Sequence, residues 1–289
     1  TRKESSAASD VYKRQTSRMG CWLPEKAGAS RKGTRMSVSY QGRDYRLVMF
    51  DLDDTLAPSK SPLADNMVAL LRRMLGDTLG CIISGGRFGQ FQSQVLDRLG
   101  VFETMGNLHL MPTCGTQYVR WSGEAWETVY AEYLSDDEKK RTLDVLESGA
   151  RELGLWESQT WGPILEDRGS QITFSALGQS APVDAKSAWD PDGAKKESLR
   201  AYAAQRLPDL EVRSGGSTSV DVTKKGIDKA YGANKLMHIL DLGIDDILFF
   251  GDRLDEGGND YPVKALGITS IAVHGWEDTF AKLSSIVDN

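Results

Sequence analysis

The chain has 289 residues, of which 40% are hydrophobic and 26% are charged, and its formal net charge is −6. This length predicts one full hydrophobic core plus a second, smaller one, and therefore two domains. No apolar run reaches the roughly 18 residues that a membrane helix needs, and the negative net charge supplies no general basic field for nucleic acid. We therefore expect neither a membrane span nor a nucleic-acid partner, and an anionic substrate must be attracted by charges local to its site.

Cysteine usage indicates the compartment. Cys21, Cys81 and Cys114 are odd in number and lack the spacing of metal ligands. This pattern favours buried thiols in a reducing environment over a disulfide framework, so a cytoplasmic protein is predicted. The three histidines are isolated from one another and from the cysteines, so no histidine metal site is predicted.

The N-terminal segment is expected to lie outside the fold. Residues 1–43 are rich in Ser, Gly, Lys and Arg and have little apolar periodicity, which predicts a disordered or non-native extension. The stretch SSAASDVYKRQ resembles translated adapter sequence, which favours a native start at Met19 or Met36. A basic organelle-targeting presequence is the alternative.

From Arg46 onward, short apolar runs alternate with amphipathic helices. Helical spacing of apolar residues follows Pro62 and recurs over residues 88–99. The apolar runs read as buried strands, namely LVMF at 47–50, CII at 81–83, ILFF at 247–250 and SIAV at 270–273. This alternation predicts an α/β fold with a Rossmann-like, doubly wound parallel-sheet core.

The segment 133–222 has a different pattern. Ser135 and Glu138 form a capping box ahead of one helix, and Asp190 before a proline is expected to start another. Residues 171–177 and 219–223 alternate with the strand period of two. We predict an inserted α+β cap domain at 133–222, which follows a hairpin around residues 121–126 and separates core segments 44–132 and 223–289.

Polar side chains end three of the predicted core strands. LVMF ends at Asp51 in DLDDTL, CII ends at Ser84 in SGGR, and ILFFG ends at Asp252 in GDRLDEGGND. In an open α/β sheet, ligands bind beyond the carboxyl ends of the strands. Two carboxylates and a hydroxyl are therefore expected to meet at one sheet edge.

Two carboxylates at one site repel each other unless a cation lies between them, and a site without His or Cys ligands selects a hard ion such as Mg²⁺. We therefore predict Mg²⁺ as cofactor and Asp51 as a nucleophile that forms an aspartyl phosphate. Asp53 is placed to act as general acid and then as general base. Ser84 and the amides of Gly85 and Gly86 precede a helix, where a phosphate oxygen is favoured.

These motifs resemble the haloacid dehalogenase superfamily of phosphotransferases, in the branch with a large α+β cap that includes phosphomannomutase. The resemblance covers about residues 46–279, where DLDDT, Ser84 and GDRLDEGGND match three of the motifs and GIDKAYG places the motif lysine at Lys229. It implies that Asp51, the Asp53 backbone carbonyl and Asp252 are metal ligands.

The resemblance also implies roles for the neighbouring residues. Asn259 and Asp260 would support the metal ligands, and Lys229 would offset the charge of Asp51 and of the bound phosphate. Thr55, the last residue of DLDDT, would bind the phosphate together with Ser84 and the two glycines that follow it. The substrate is therefore expected to be a small phosphorylated metabolite.

The cap residues decide what receives the phosphoryl group. The resemblance places Arg168, Ser219 and Asp221 at the substrate, while Gln179 stands where the mutase pattern has a second arginine. Losing a planar phosphate ligand favours a sugar-phosphate phosphatase as the first hypothesis. Phosphomannomutase is the alternative, and a catalytically silent sugar-phosphate sensor is a third hypothesis. Caps that pair into a homodimer are compatible with either enzyme.

Overall fold

A computed structural model describes residues 37–288 of the chain. The strands are β1 (Val38–Tyr40), β2 (Arg43–Tyr45), β3 (Leu47–Phe50), β4 (Leu79–Ile83), β5 (Leu108–Met111), β6 (Gln117–Trp121), β7 (Trp126–Ala131), β8 (Leu165–Asp167), β9 (Gln171–Ser175), β10 (Leu210–Ser214), β11 (Ser219–Lys224), β12 (Ile247–Gly251) and β13 (Thr269–Ala272). The helices are α1 (Asp65–Asp77), α2 (Phe88–Phe91), α3 (Asp97–Leu99), α4 (Asp136–Glu152), α5 (Val183–Trp189), α6 (Ala194–Arg206), α7 (Lys229–Leu240), α8 (Tyr261–Ala265) and α9 (Trp276–Val287). A π-helical turn at Gln92–Leu96 joins α2 to α3.

The described chain opens with the antiparallel hairpin β1–β2, in which Val38 pairs with Tyr45 and both side chains are buried. The boundary predicted after residue 43 is therefore wrong for residues 38–43. Strands of three residues are too short for apolar periodicity to reveal them. The expectations for residues 1–36, including Cys21, fall outside the described residues.

The core sheet has seven strands in the order β13-β12-β3-β4-β5-β6-β7. Strands from β13 to β5 run parallel, whereas β6 and β7 form an antiparallel hairpin at one edge. The predicted strands at 47–50, 81–83, 247–250 and 270–273 and the hairpin around Trp121 and Trp126 are confirmed. The predicted α/β class with a mainly parallel central sheet is confirmed as well.

Helices cover both faces of this sheet, because successive side chains of a buried strand point to opposite sides. Val48 and Phe50 of β3 belong to the hydrophobic cluster that contains residues of α1 and α9. Leu47 and Met49 belong to the opposite cluster, which contains residues of α7. The whole of β3 is therefore buried, and its carboxyl end is rigidly placed in the middle of the sheet.

The segment from α4 to β11 contains a four-stranded antiparallel sheet in the order β10-β11-β9-β8, which we call the cap sheet. One face packs Ile172 and Phe174 into a separate hydrophobic cluster with Leu146 of α4 and Leu199 of α6. Alternation places the polar residues of β9 on the opposite face. The cap sheet therefore has one apolar and one polar side.

The helix starts in this segment differ in how well they were predicted. The capping box at α4 is confirmed, because Ser135 Oγ accepts from the Glu138 amide at 3.2 Å and Glu138 accepts from the Ser135 amide at 2.7 Å. The helix expected from Asp190 begins at Ala194 instead. The Asp190 carboxylate accepts the amides of Lys195 and Lys196 at 3.0 Å each, so it caps α6 from a turn upstream.

Across residues 37–288, no helix has both the length and the apolar character that crossing a bilayer requires.

Candidate active site

Strand register brings three acids to one edge of the core sheet. Phe50 of β3 pairs with Phe250 of β12, so Asp51 and Asp252 leave neighbouring strands at nearly the same level. Asp260, at the start of α8, returns to the same place. Carboxylate oxygens of Asp51, Asp252 and Asp260 lie within 4.8 Å of one another.

Lys229, the first residue of α7, lies within this group. Its Nζ donates to Asp260 Oδ1 at 2.5 Å and to Asp51 Oδ1, and its side chain is 1% exposed. The helix starts here because Asp228 caps it, accepting from the Tyr231 amide at 2.9 Å. Burial lowers the pKa of Lys229, but Asp51 and Asp260 raise it more, so the lysine is held protonated.

The three acids carry more charge than Lys229 offsets. Burial raises the pKa of Asp51 to about 7 against the opposing effect of Lys229, with Asp260 raising it further. Burial and Asp260 raise the pKa of Asp252 to about 6. With three carboxylates and one ammonium, two negative charges remain, and all donors are oxygens. This donor set fits a hard divalent cation such as Mg²⁺.

Asn259 and Asp260, which were expected to support the metal ligands, differ in position. Asp260 is fully buried and belongs to the acid cluster itself, and it also accepts the Arg253 amide at 3.1 Å. Asn259, its neighbour, is exposed. Asp260 is therefore as good a candidate for a metal ligand as Asp51 and Asp252. The sequence contained one indication of this role, since Asp260 is the last acid of the motif GDRLDEGGND.

The Asp53 side chain binds residues that do not belong to the acid cluster. Its carboxylate accepts the Lys60 ammonium at 2.9 Å, the Gln90 amide at 2.8 Å and the Gln94 amide at 3.3 Å. Burial raises the pKa of Asp53, but Lys60 and Gln90 lower it more, so its pKa lies below the ordinary value. Sequence reasoning missed these three partners, whose only signal was two glutamines four residues apart on a predicted helix.

The loop after β4 holds the predicted phosphate-binding residues. Ser84 is buried and its Oγ accepts from the Gly86 amide at 3.1 Å. Arg168 of the cap segment reaches this loop, where its Nη1 donates to the Gly85 carbonyl at 3.2 Å. Thr55 is also buried and lies beside Asp51, with Thr55 Oγ1 donating to Asp51 Oδ2 at 3.4 Å.

The polar face of the cap sheet carries the other predicted substrate residues. Thr173 donates to Asp221 Oδ1 at 2.7 Å and accepts from the Gln171 amide at 2.9 Å. The hydroxyls of Ser219 and Ser175 are 3.1 Å apart. Gln171 and Thr173 were not among the predicted site residues. Alternation along β9 places both on the same face, where Thr173 is the register partner of Asp221.

A cleft of about 530 Å³ lies between the cap segment and the core and extends to the residues around Asp53. Four cationic side chains line it, two from the core and two from the cap segment, with one acid, Glu166. The cations are Lys60, Arg87, Arg168 and Lys186. The predicted residues thus form three groups, namely the acid cluster, the phosphate loop with Arg168, and the polar face of the cap sheet.

This arrangement agrees with the similarity of the chain to known proteins. The curated phosphomannomutase of Encephalitozoon cuniculi is 25% identical over 251 residues, covering 83% of this chain and 93% of that protein. The phosphomannomutase of Saccharomyces cerevisiae is 26% identical over 231 residues, covering 78% and 87%.

Solved structures support the same fold. An IMP-nucleotidase from Plasmodium falciparum aligns with a TM-score of 0.62 at 15% identity, covering 85% of this chain and 68% of that chain. A haloacid dehalogenase-like hydrolase from Bacteroides thetaiotaomicron aligns with a TM-score of 0.54 at 16% identity, covering 84% of this chain and 99% of that chain.

The sequence model of the family described as eukaryotic phosphomannomutase matches residues 131–289, more than half of the chain. The chain therefore belongs to the eukaryotic phosphomannomutase family, and it is an enzyme of the phosphotransferase or phosphatase type.

Proposed function

We propose that the enzyme is a sugar-phosphate mutase that moves a phosphoryl group between two positions of a hexose phosphate through a phosphorylated Asp51. The cationic cleft carries this proposal, because it offers a second phosphate a place apart from Asp51, which does not line it. Among residues 37–288, the four cations of the cleft form ion pairs with two carboxylates, Arg87 and Arg168 with Glu166 and Lys60 with Asp53. Two positive charges are left over, which matches a phosphate dianion.

The charges of the cleft repel one another when no anion is bound. Burial and the nearby Lys60 lower the pKa of Lys186, whose ammonium donates to the Gln179 carbonyl at 2.9 Å. A phosphate in the cleft would relieve this repulsion. A mutase needs such a site for the end of the sugar that is not reacting, whereas a monophosphate hydrolase does not.

The chemistry at the other end is assigned to the acid cluster and Asp53. Starting from phosphorylated Asp51, a sugar hydroxyl would give its proton to the ionised Asp53 and attack the phosphoaspartate, and Asp53 would later return that proton to the leaving sugar oxygen as an Asp51 oxygen attacks the other phosphorus. Lys229 would favour the ionised form of Asp51 against the effect of burial. Asp51, Asp252 and Asp260 would hold Mg²⁺, which would neutralise part of the charge of the phosphate.

Hydrolysis is the second candidate, and Gln179 is the observation that favours it. This neutral side chain lines the cleft, and its amide donates to Ser175 Oγ instead of pointing a charge at a ligand. A weaker hold on the second phosphate would let the sugar leave before it reverses, and water would then discharge the phosphoenzyme.

One assay separates the two candidates. Mannose 1-phosphate or glucose 1-phosphate is supplied with Mg²⁺, with and without the corresponding 1,6-bisphosphate, and both the 6-phosphate and inorganic phosphate are followed. A mutase gives 6-phosphate that depends on bisphosphate, with little phosphate release. Inorganic phosphate as the main product, unaffected by bisphosphate, would instead establish the hydrolase. Asp51→Asn serves as the control for both reactions.

A further inference from the structure

We propose that Arg87 is a ligand of the distal phosphate, supplied by the core rather than by the cap segment. The inference rests on the proposed function in one respect, namely that the substrate carries a phosphate in the cleft while its other end reacts. Arg87 lies in the loop between β4 and α2, directly after Gly85 and Gly86, and lines the cleft opposite residues of the cap segment. No role for this residue was implied by the motifs.

The contacts of Arg87 leave most of its donors available. Its Nη1 lies 3.3 Å from Glu166 Oε1, and its side chain is 63% exposed. This is its one ion pair among residues 37–288. Glu166 is bound more closely by Arg168, whose Nε and Nη2 both lie 2.8 Å from Glu166 Oε2 and whose side chain is only 8% exposed. A guanidinium has five N–H donors, so Arg87 can bind an oxyanion without first breaking a strong contact.

The other cations of the cleft are more constrained than Arg87. Arg168 is committed to Glu166 and to the Gly85 carbonyl, and Lys60 is committed to Asp53 and Gln90. Lys186 is an ammonium, which binds phosphate as a point charge and not in a planar, bidentate manner. Arg87 is therefore the side chain of the cleft best suited to a bidentate phosphate contact.

The position of Arg87 has a consequence for substrate selection. Lys186 lies on α5 of the cap segment, whereas Arg87 lies on the core, and both line the same cleft. A phosphate bound between them would join the two parts of the molecule by charge-assisted hydrogen bonds. Ligands without a distal phosphate lack this connection, so Arg87 would act as a specificity determinant for sugars phosphorylated at the far end.

The test compares phosphate donors with and without a distal group. Arg87→Gln is assayed for phosphoenzyme formation from a hexose 1,6-bisphosphate and from acetyl phosphate, which has no second phosphate. We expect the KM for the bisphosphate to rise about tenfold to a hundredfold, the range of a charged hydrogen bond, and the KM for acetyl phosphate to stay within about twofold. Arg73→Gln is the matched control, because Arg73 is an exposed arginine on α1 that pairs with Asp288.

A second variant tests whether the charge itself is what matters. Arg87→Gln combined with Gln179→Arg keeps one arginine in the cleft, now from the cap segment, and is expected to regain most of the lost bisphosphate affinity. Equal losses with both donors would overturn the proposal, because Arg87 would then act on the Asp51 end. An unchanged KM for bisphosphate, or a double variant no better than the single one, would overturn it as well. Binding is read out whether the product is a 6-phosphate or inorganic phosphate, so a hydrolase outcome leaves this test intact.

Discussion

The backbones of Gly115 and Gly232 approach so closely that a Cβ atom on Gly115 would lie 2.3 Å from the Cα atom of Gly232. Gly115 belongs to the turn after β5 and has a φ of 82°, which also favours glycine. Gly232 lies in the first turn of α7, three residues after Lys229. This contact therefore sets how deeply the helix that carries Lys229 sits against the core sheet.

Gly232→Ala is expected to lower both stability and activity. The new methyl would lie 2.6 Å from Ile83 Cδ1 and 2.7 Å from the Cys114 carbonyl, so α7 must shift. Overpacking of this kind costs about 1–3 kcal/mol, which exceeds the gain of about 1 kcal/mol from alanine helix propensity. Urea denaturation measures the change in the free energy of unfolding, and phosphoenzyme yield measures the displacement of Lys229.

The control for this substitution is Gly76→Ala in α1, where a Cβ atom would meet no atom within 4 Å. It is expected to raise the free energy of unfolding by about 0.5–1 kcal/mol and to leave the phosphoenzyme yield unchanged. If both alanines stabilised the protein equally, the close contact with Gly115 would not restrain α7.

Magnesium is expected to stabilise the folded protein through the acid cluster. A ligand that binds only the native state adds about 2.7 kcal/mol when its free concentration is a hundred times its Kd. Asp252→Asn removes one of the three carboxylates, so most of the Mg²⁺-dependent rise in Tm should disappear. Differential scanning calorimetry with Mg²⁺ and with EDTA measures this without any assay of activity.

Asp255→Asn is the matched control, since Asp255 is an exposed acid of the same loop that pairs with Arg253. It should keep the full response of the Tm to Mg²⁺. A loss of the same size in both variants would show that the ion binds to the loop in general and not to the cluster.

Sequence alone predicted that Asp51, Ser84 and Asp252 leave the core strands at one sheet edge, while Asp260 was expected only to support the metal ligands. Asp51, Ser84 and Asp252 each follow an apolar run. Parallel strands have their carboxyl ends at one edge of the sheet, and this holds for any conformation of the connecting loops. The continuous apolar runs also predicted that the core strands are buried. Both inferences depend on interactions that are regular along the chain.

The surroundings of Asp53 could not be predicted in this way. Lys60 lies in a loop, and Gln90 and Gln94 sit on a helical segment whose apolar residues alone were used to assign it. The π-helical turn at Gln92–Leu96 changes which side chains share a face, and no simple period signals such a turn. The cationic cleft was missed for a different reason. Its four cationic side chains come from four separate segments of the chain, and no local pattern connects them.

Thr173→Val is expected to weaken substrate binding by removing the hydrogen bond that orients Asp221. The side chains are nearly equal in size, but the valine leaves the Gln171 amide and one Asp221 oxygen without their partner. Unsatisfied buried groups of this kind cost about 1–3 kcal/mol. The KM for the sugar phosphate should rise more than kcat falls, and Thr173→Ser should restore it.

Thr142→Val is a matched control on α4, because Thr142 is fully buried and its hydroxyl has no hydrogen-bond partner among residues 37–288. Replacing that hydroxyl by a methyl should maintain or raise the free energy of unfolding and leave KM unchanged. Equal changes in KM for the two variants would mean that Thr173 affects the cap segment only through its stability.

Buried His109 predicts a loss of stability in acid. Its Nδ1 lies 2.9 Å from the Tyr118 hydroxyl, while burial and Arg120 lower its pKa to about 4. Because the unfolded chain takes up this proton near pH 6.5, the unfolded state binds more protons between about pH 6.5 and 4, and stability falls as pH is lowered through that window. The full effect is on the order of 3 kcal/mol. Urea denaturation from pH 7 to pH 4.5 should show a shallower pH dependence for His109→Asn than for the unmodified protein, and parallel curves would rule His109 out as the source.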